Sequence, residues 1–223
     1  MINPDESGHV TVAGATGSGK SVLTLFMLYQ LKKTNPVDLW ICDFKKSGDY
    51  NGITREKQFA EGDAIRCYEV ISDFFKLYQS LPEGGDSHYH VLIVDELAGL
   101  LSYLSLDKST KPYAEKIKLI LSSILMLGRS RRVCLWTVQQ RMSAKLFPDS
   151  SGGADNFSVR ILCGHADPDS RRALFAGLHF EGEDTLHYKT GRGIIYISSN
   201  ANIHAFVVPK VDKKKLQKKL QYK

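Results

Sequence analysis

No part of the 223 residues approaches the ~18 or more uninterrupted apolar residues of a membrane span. The four cysteines, Cys42, Cys67, Cys134 and Cys163, form no CxxC pair and no zinc spacing. That excludes a disulfide framework and a cysteine-held metal, and it fits buried thiols in a reducing compartment. The seven histidines (His9, His88, His90, His165, His179, His187 and His204) make no metal spacing either and read as structural or exposed. The start, Met1-Ile-Asn-Pro-Asp-Glu6, is acidic and polar rather than a basic segment followed by an apolar one, so it is no signal peptide. The expectation is a cytoplasmic protein, with any membrane association made through a partner. Internal repeats are absent, and the only biased stretch is lysine-rich and lies at the end.

That stretch accounts for the charge. The net charge is +6, and Lys210–Lys223 holds seven lysines against one aspartate. The remaining residues, 1–209, are neutral. The basic pI of 9.0 therefore describes a tail and does not by itself mark a nucleic-acid-binding body. The expected division is a domain over 1–209 and a lysine-rich tail over 210–223.

Apolar runs rich in Val, Ile and Leu, with little alternation, occur at His9–Ala13, Leu39–Asp43, His90–Asp95, Val133–Val138 and Val159–Cys163. They read as strands covered on both faces, as in a parallel sheet. Helical patterns fall between them at Lys20–Lys33, about Ile65–Leu81, about Tyr113–Leu127 and Pro168–Ala176. This alternation predicts an α/β fold of three layers, with a mostly parallel sheet between helices. Gly193–Ser198 and Ile203–Val208 predict a hairpin at the sheet edge, turning at Asn200–Asn202. Pro82–Asp86, Leu104–Pro112 and Pro148–Asp155 read as loops.

The most informative segment is Gly14-Ala15-Thr16-Gly17-Ser18-Gly19-Lys20-Ser21, which matches GxxxxGK[ST]. It directly follows a predicted strand and opens a predicted helix, the context that makes the pattern meaningful. Glycines let successive amide N–H groups turn inward, and those amides and the helix start attract phosphates. Lys20 is expected to reach the β- and γ-phosphates of ATP, and the Ser21 hydroxyl to ligate Mg²⁺. The strand His90–Asp95 ends in two carboxylates. Asp95 is expected to hold the Mg²⁺ shell through water, and Glu96 to polarise the attacking water. The run Val133–Val138 ends in Gln139-Gln140-Arg141. If this strand lies between the phosphate-loop strand and the acidic strand, Gln140, preferred over Gln139, is placed to sense the γ-phosphate. A strand end capped by solvated amides remains the alternative. One further βα unit separates the two key strands, the pattern of additional-strand ATPases.

Taken together these pieces resemble the FtsK/SpoIIIE motor ATPases of the FtsK–HerA group. The likeness rests on five segments in the family's order. They are His9–Ser21, Asp43-Phe-Lys-Lys46, Val94-Asp-Glu-Leu-Ala98, Leu127–Arg141 with its Gly-Arg and Thr-Val-Gln-Gln-Arg, and Asp169-Ser-Arg171. Met142 departs from the family's usual proline. The resemblance implies a RecA-like P-loop NTPase that hydrolyses ATP, assembles as a homo-hexamer and pulls double-stranded DNA through a pore. Such a motor serves conjugative transfer coupling, DNA segregation or genome packaging, and could dock on a membrane channel or relaxase complex. The chain looks like the motor core alone. A module driving protein secretion is the rival, and a non-motor switch ATPase is a third reading.

A ring ATPase commonly lends an arginine to the next subunit's site. The candidates are Arg129, Arg131, Arg132, Arg160, Arg171 and Arg172, with Arg171 and Arg129 favoured by their place in the resembling segments. For DNA grip the loop Asp107–Lys111 and Lys145 are candidates, as is the tail, where Leu216 and Leu220 lie one helical turn apart among lysines. The tail suits DNA phosphates, an acidic partner or an anionic membrane, and a frayed, solvated helix is the plain alternative.

Overall fold

The computed structural model describes residues 4–143, 146–147, 153–165, 167–178, 189–200 and 202–222. In chain order the elements are α1 (Pro4–Ser7), β1 (Val10–Gly14), α2 (Lys20–Thr34), β2 (Val37–Asp43), β3 (Phe59–Glu61), α3 (Ala64–Ser80), β4 (Tyr89–Asp95), α4 (Leu97–Leu104) and α5 (Lys111–Leu127). There follow β5 (Val133–Gln139), β6 (Val159–Cys163), α6 (Pro168–Phe175), β7 (Arg192–Ile197), β8 (Ile203–Val207) and α7 (Lys213–Leu220).

The eight strands of the described residues form one sheet in the order β3-β2-β4-β5-β1-β6-β7-β8. The pairings from β3 across to β6 are parallel, and β6-β7 and β7-β8 are antiparallel. The expected hairpin is therefore present at an edge. Asn200 N–H donates to the Ile197 carbonyl, while Ala201 of the expected turn lies outside the described residues.

The lack of alternation in the strands has a direct cause. Every residue of β4 is buried, with Val91 and Ile93 in the core on one face and Leu92 and Val94 in the core on the other. Helices α3 to α6 cover one face, and α2 and α7 the other. Helix α2 is apolar over most of its circumference because two surfaces cover it, the sheet below and α7 above. The lysine-rich tail is thus a docked helix rather than a solvated one. Leu216 and Leu220 are buried, and Lys219 lies over the Tyr29 ring with 5.1 Å to its centroid. Burying each leucine contributes roughly 1.5–3 kcal/mol.

Three elements lie outside the ranges expected from sequence, among them α4, which follows Glu96 directly. The edge strand β3 has only three residues, too few for any period to show. Helix α1 has four. All four cysteines are free and buried, as expected. Among the histidines, His9 is buried and accepts the Leu135 N–H at 3.0 Å. Burial, together with the charge of Arg129, pushes its pKa down to about 4, so it is neutral. His179 and His187 lie outside the described residues. No helix of the described residues is long and apolar enough to cross a membrane.

Candidate functional site

The sheet topology gathers the sequence candidates at one end. Strand β5 lies between β1 and β4, so the C-terminal ends of all three strands adjoin. Asp95 is paired with Val138 in register, and Ala13 with Gln139. A cleft of about 400 Å³ opens there. Its lining includes Thr16, Gly17, Gly19, Lys20, Ser21 and Val22 from the loop and the start of α2, Asp95 and Glu96 from the end of β4, and Val138 of β5.

The loop's shape follows from its glycines. Gly14 has φ 149°, and a Cβ at that position would lie 2.3 Å from the Cys163 carbonyl oxygen, so only glycine lets β1 leave the sheet this close to β6. Gly19, at φ 105°, starts α2 in a left-handed conformation that a side chain would resist. Lys20 folds back over the loop, donating to the Gly14 and Ala15 carbonyls, the latter at 2.9 Å. Burial lowers its pKa. Of the expected loop residues, Gly14, Ala15 and Ser18 do not line the cleft. Gly14 and Ala15 supply carbonyls to Lys20, and Ser18 is buried with its Oγ unpartnered.

Asp95 is 7% exposed. Burial, then the nearby charges of Asp43, Glu96 and Asp49, push its carboxyl up to about 7. Glu96 follows at φ 64°, ψ 47°, a left-handed conformation unfavourable for a residue with a Cβ. Its N–H donates to the Val138 carbonyl at 2.7 Å, which ties β4 to β5 at the cleft.

Asp43, the start of the Asp-Phe-Lys-Lys segment, does not line the cleft. It is fully buried, and its Oδ2 accepts from Ser47 N–H at 2.8 Å, Ser47 Oγ–H at 2.7 Å and Gly48 N–H at 3.2 Å. Those bonds hold the following loop so that Lys45 and Ser47 enter the cleft wall. Thr190 and Lys213 complete it. None of these four was singled out as a site residue from sequence. Lys45 was within reach through its segment, whereas Thr190 and Lys213 carry no local signal.

At the end of β5 the two glutamines part. Gln139 is fully buried with Nε2 2.6 Å from Met142 Sδ. Gln140, the first residue past the end of β5, is half-buried and does not itself line the cleft. Met142 has a role that proline could not fill. Its N–H donates to Ser170 Oγ at 2.9 Å, and proline has no N–H. Ser170 belongs to the Asp169–Arg171 segment, so two resembling segments are joined here. Arg160, one of the arginine candidates, is 6% exposed and donates to the Phe157, Leu174 and Asp155 carbonyls. Its guanidinium is consumed inside the fold, which corrects its place among the candidate fingers. Arg131 is similarly occupied by the Tyr78 carbonyl and ring. Arg129 is exposed, and Arg171 is half-buried on α6. Lys145 lies outside the described residues.

The donor set suits magnesium carried in with a nucleotide. Ser21 and Asp95 offer hard oxygen atoms in one cleft, and Asp95 is buried with Asp43, Glu96 and Asp49 near enough to act on it electrostatically. Among the described residues no cluster of three His, Cys, Asp or Glu could hold a metal alone. Mg²⁺ does not need one, since it commonly takes one or two protein oxygens beside phosphates and water.

No protein-family model and no curated protein sequence matches the chain. Solved structures do. One is the pCW3 conjugation coupling protein TcpA in a monomer form with ATPγS, at TM-score 0.69 and 22% identity over 98% of this chain and 66% of that one. A second is the cytoplasmic domain of the type VII secretion ATPase EccC of Thermomonospora curvata, at TM-score 0.62 and 19% identity over 96% of this chain and 28% of that one. A third is the genome-packaging NTPase B204 of Sulfolobus turreted icosahedral virus 2, with sulfate, at TM-score 0.62 and 16% identity over 95% of this chain and all of that one.

The fold is that of a RecA-like P-loop NTPase. The likeness to FtsK/SpoIIIE-type ATPases read from the motifs is matched in three dimensions by these neighbours. The chain spans 66% of the coupling protein and 28% of the secretion ATPase.

Proposed function

We propose that this chain is an ATP-hydrolysing ring motor that translocates double-stranded DNA. The observation that carries the hydrolytic part is the juxtaposition of Glu96, held at φ 64° on the end of β4, with the Gly14–Ser21 loop across one cleft. In this reading the loop and Lys20 hold the ATP phosphates. Lys20 exchanges the Gly14 and Ala15 carbonyls for charged phosphate oxygens, which make stronger hydrogen bonds. Glu96 orients a water for in-line attack on the γ-phosphate and accepts its proton. Ser21 and Asp95 would hold Mg²⁺, which would supply positive charge against the phosphates. Gln140 reports the γ-phosphate from the end of β5. Arg171 or Arg129 serves a neighbouring subunit of a homo-hexamer.

Support for DNA as the substrate comes from the named functions of two neighbours, a conjugation coupling protein and a genome-packaging NTPase. Conjugative coupling, packaging and DNA segregation are the processes this reading covers, on the cytoplasmic side of a membrane channel or relaxase complex where coupling is concerned. The rival is a module driving protein secretion. It draws on the likeness to EccC ATPases 2 and 3, solved with a signal-sequence peptide, at TM-score 0.66 and 13% identity.

Steady-state ATPase assays with and without linear double-stranded DNA separate these. The expected result is turnover that DNA raises several-fold, loss of nucleotide binding in Lys20→Ala, and loss of turnover with binding kept in Glu96→Gln. Stimulation by a secretion-substrate peptide and not by DNA would favour the rival. Unchanged turnover in Glu96→Gln would remove the assignment of that residue.

A further inference from the structure

We propose that Lys213, in the lysine-rich tail, is a nucleotide-binding residue that contacts the polyphosphate of the ATP held in its own chain's cleft. This rests on the reading of that cleft as an ATP site and extends it to a residue nearly 200 positions from the phosphate loop.

The hairpin is tied to the phosphate loop, and the tail that follows it to the loop at 48–52. Just before β7, Gly191 N–H donates to the Ser18 carbonyl at 3.0 Å, so the hairpin starts against the phosphate loop. Just after β8, Val208 N–H returns to the Gly191 carbonyl at 2.7 Å. Helix α7 then begins beside the cleft. Asp212 caps it by accepting the Lys214 and Lys215 N–H groups at 2.9 and 3.2 Å. Farther along, Gln217 Nε2 donates to the Gly48 and Asp49 carbonyls at 3.2 and 3.0 Å. Tyr222 N–H donates to the Gly52 carbonyl at 2.8 Å. With Leu216 and Leu220 buried, the helix cannot shift without breaking these contacts.

Lys213 stands in the cleft wall with Lys20 and Lys45. Its ammonium is paired with Asp49 Oδ1, and its side chain is 39% exposed against 8% for Asp49. Asp49 is itself fixed, since its N–H donates to Ser47 Oγ at 3.2 Å. An ammonium has three donors, and the pair with Asp49 uses one. The pairing holds a long, flexible side chain in place while leaving donors for an anion, which reduces the ordering entropy of gripping one. Asp49 is the positioning residue in this arrangement. The other lysines of α7, Lys214, Lys215, Lys218 and Lys219, are exposed, and none of them lines the cleft.

Two measurements on the full chain test this. In wild-type protein, amine-reactive labelling followed by peptide mass spectrometry should show Lys213 protected by ATPγS and by tripolyphosphate, with Lys214 and Lys215 unprotected. By calorimetry Lys213→Gln should weaken ATPγS at least about tenfold, as expected for a charge-assisted contact, and Lys213→Arg should restore most of it. Lys214→Gln, on the same helix, should bind as wild type. Wild-type binding of ATPγS without protection of Lys213, or undiminished affinity in folded Lys213→Gln, overturns the proposal and leaves the ATPase reading intact. Failure of wild-type protein to bind ATPγS at all overturns both. The labelling arm needs no variant, so a misfolded Lys213→Gln does not remove the test.

Discussion

Glu96 sits at φ 64° although it is not glycine, and a left-handed conformation costs such a residue about 1–2 kcal/mol. Backbone strain of this kind persists where the surroundings enforce it, commonly at functional sites. Here the Val138 carbonyl and the start of α4 enforce it. Glu96→Gly should therefore unfold no earlier than wild type, and up to about 1 kcal/mol later, while losing ATP turnover. Glu96→Ala keeps the Cβ and should gain nothing. Thermal melts of the two variants, run beside turnover assays, check the pairing of strain with function. Asp95 gives a second residue-scale test. A carboxyl whose folded-state pKa is raised supports the fold while protonated. Its contribution is complete below its ordinary value of 3.8 and is lost as pH rises through about 7. Asp95→Asn removes that dependence. In the absence of nucleotide, the stability advantage of Asp95→Asn over wild type should widen by on the order of 2–3 kcal/mol between pH 5 and pH 8. Denaturant melts of both proteins at the two pH values measure it, and a constant gap would contradict the buried, crowded setting of this carboxylate.

At the scale of elements, what was legible in the sequence and what was not divide by the range of the interactions. The strands of the parallel sheet announced themselves because burial on both faces leaves long apolar runs, as in Tyr89–Asp95. The Gly14–Ser21 loop was legible because its glycines and Lys20-Ser21 are contiguous. Asp95 and Glu96 were legible because they end such a run. By contrast, β3 carries three residues, and its pairing with β2 is a fact of topology. Helix α7 read as a charged run because only Leu216 and Leu220 of its eight residues face inward. Its docking depends on α2 and on the loop at 48–52, both more than 160 residues away. Lys213 and Thr190 were invisible as site residues for the same reason. The docking itself is testable. Leu220 is 1% exposed, and Leu220→Ala should cost about 2–4 kcal/mol. The same change at the exposed Lys218 should cost under about 0.5 kcal/mol. Equal melting of the two variants would mean that α7 does not hold this position in solution.

At the scale of the molecule, the cleft sits at the C-terminal end of the parallel strands, and Arg129 sits at the other. It lies in the turn Gly128–Arg131 that leads into the first residue of β5, whereas Asp95, Glu96 and Val138 stand at strand ends on the cleft side. An exposed arginine so placed cannot enter its own chain's cleft. If it takes part in hydrolysis it must do so in another copy's site, which makes the test one of complementation. Arg129→Ala should bind ATPγS as wild type yet turn over ATP at least tenfold more slowly, in line with the rate effect of such arginines. Glu96→Gln should be equally inactive. A mixture of the two should recover activity, because some sites then combine an intact Glu96 from one chain with an intact Arg129 from the next. The same mixture made with Arg171→Ala asks the question of the second candidate. Arg160→Ala is the contrasting case. Its guanidinium bonds three carbonyls within the fold, so its loss should lower the melting temperature, and no mixture should rescue it. Recovery with Arg129→Ala would place the two halves of the working site on neighbouring chains, and recovery only with Arg171→Ala would move the shared edge to α6.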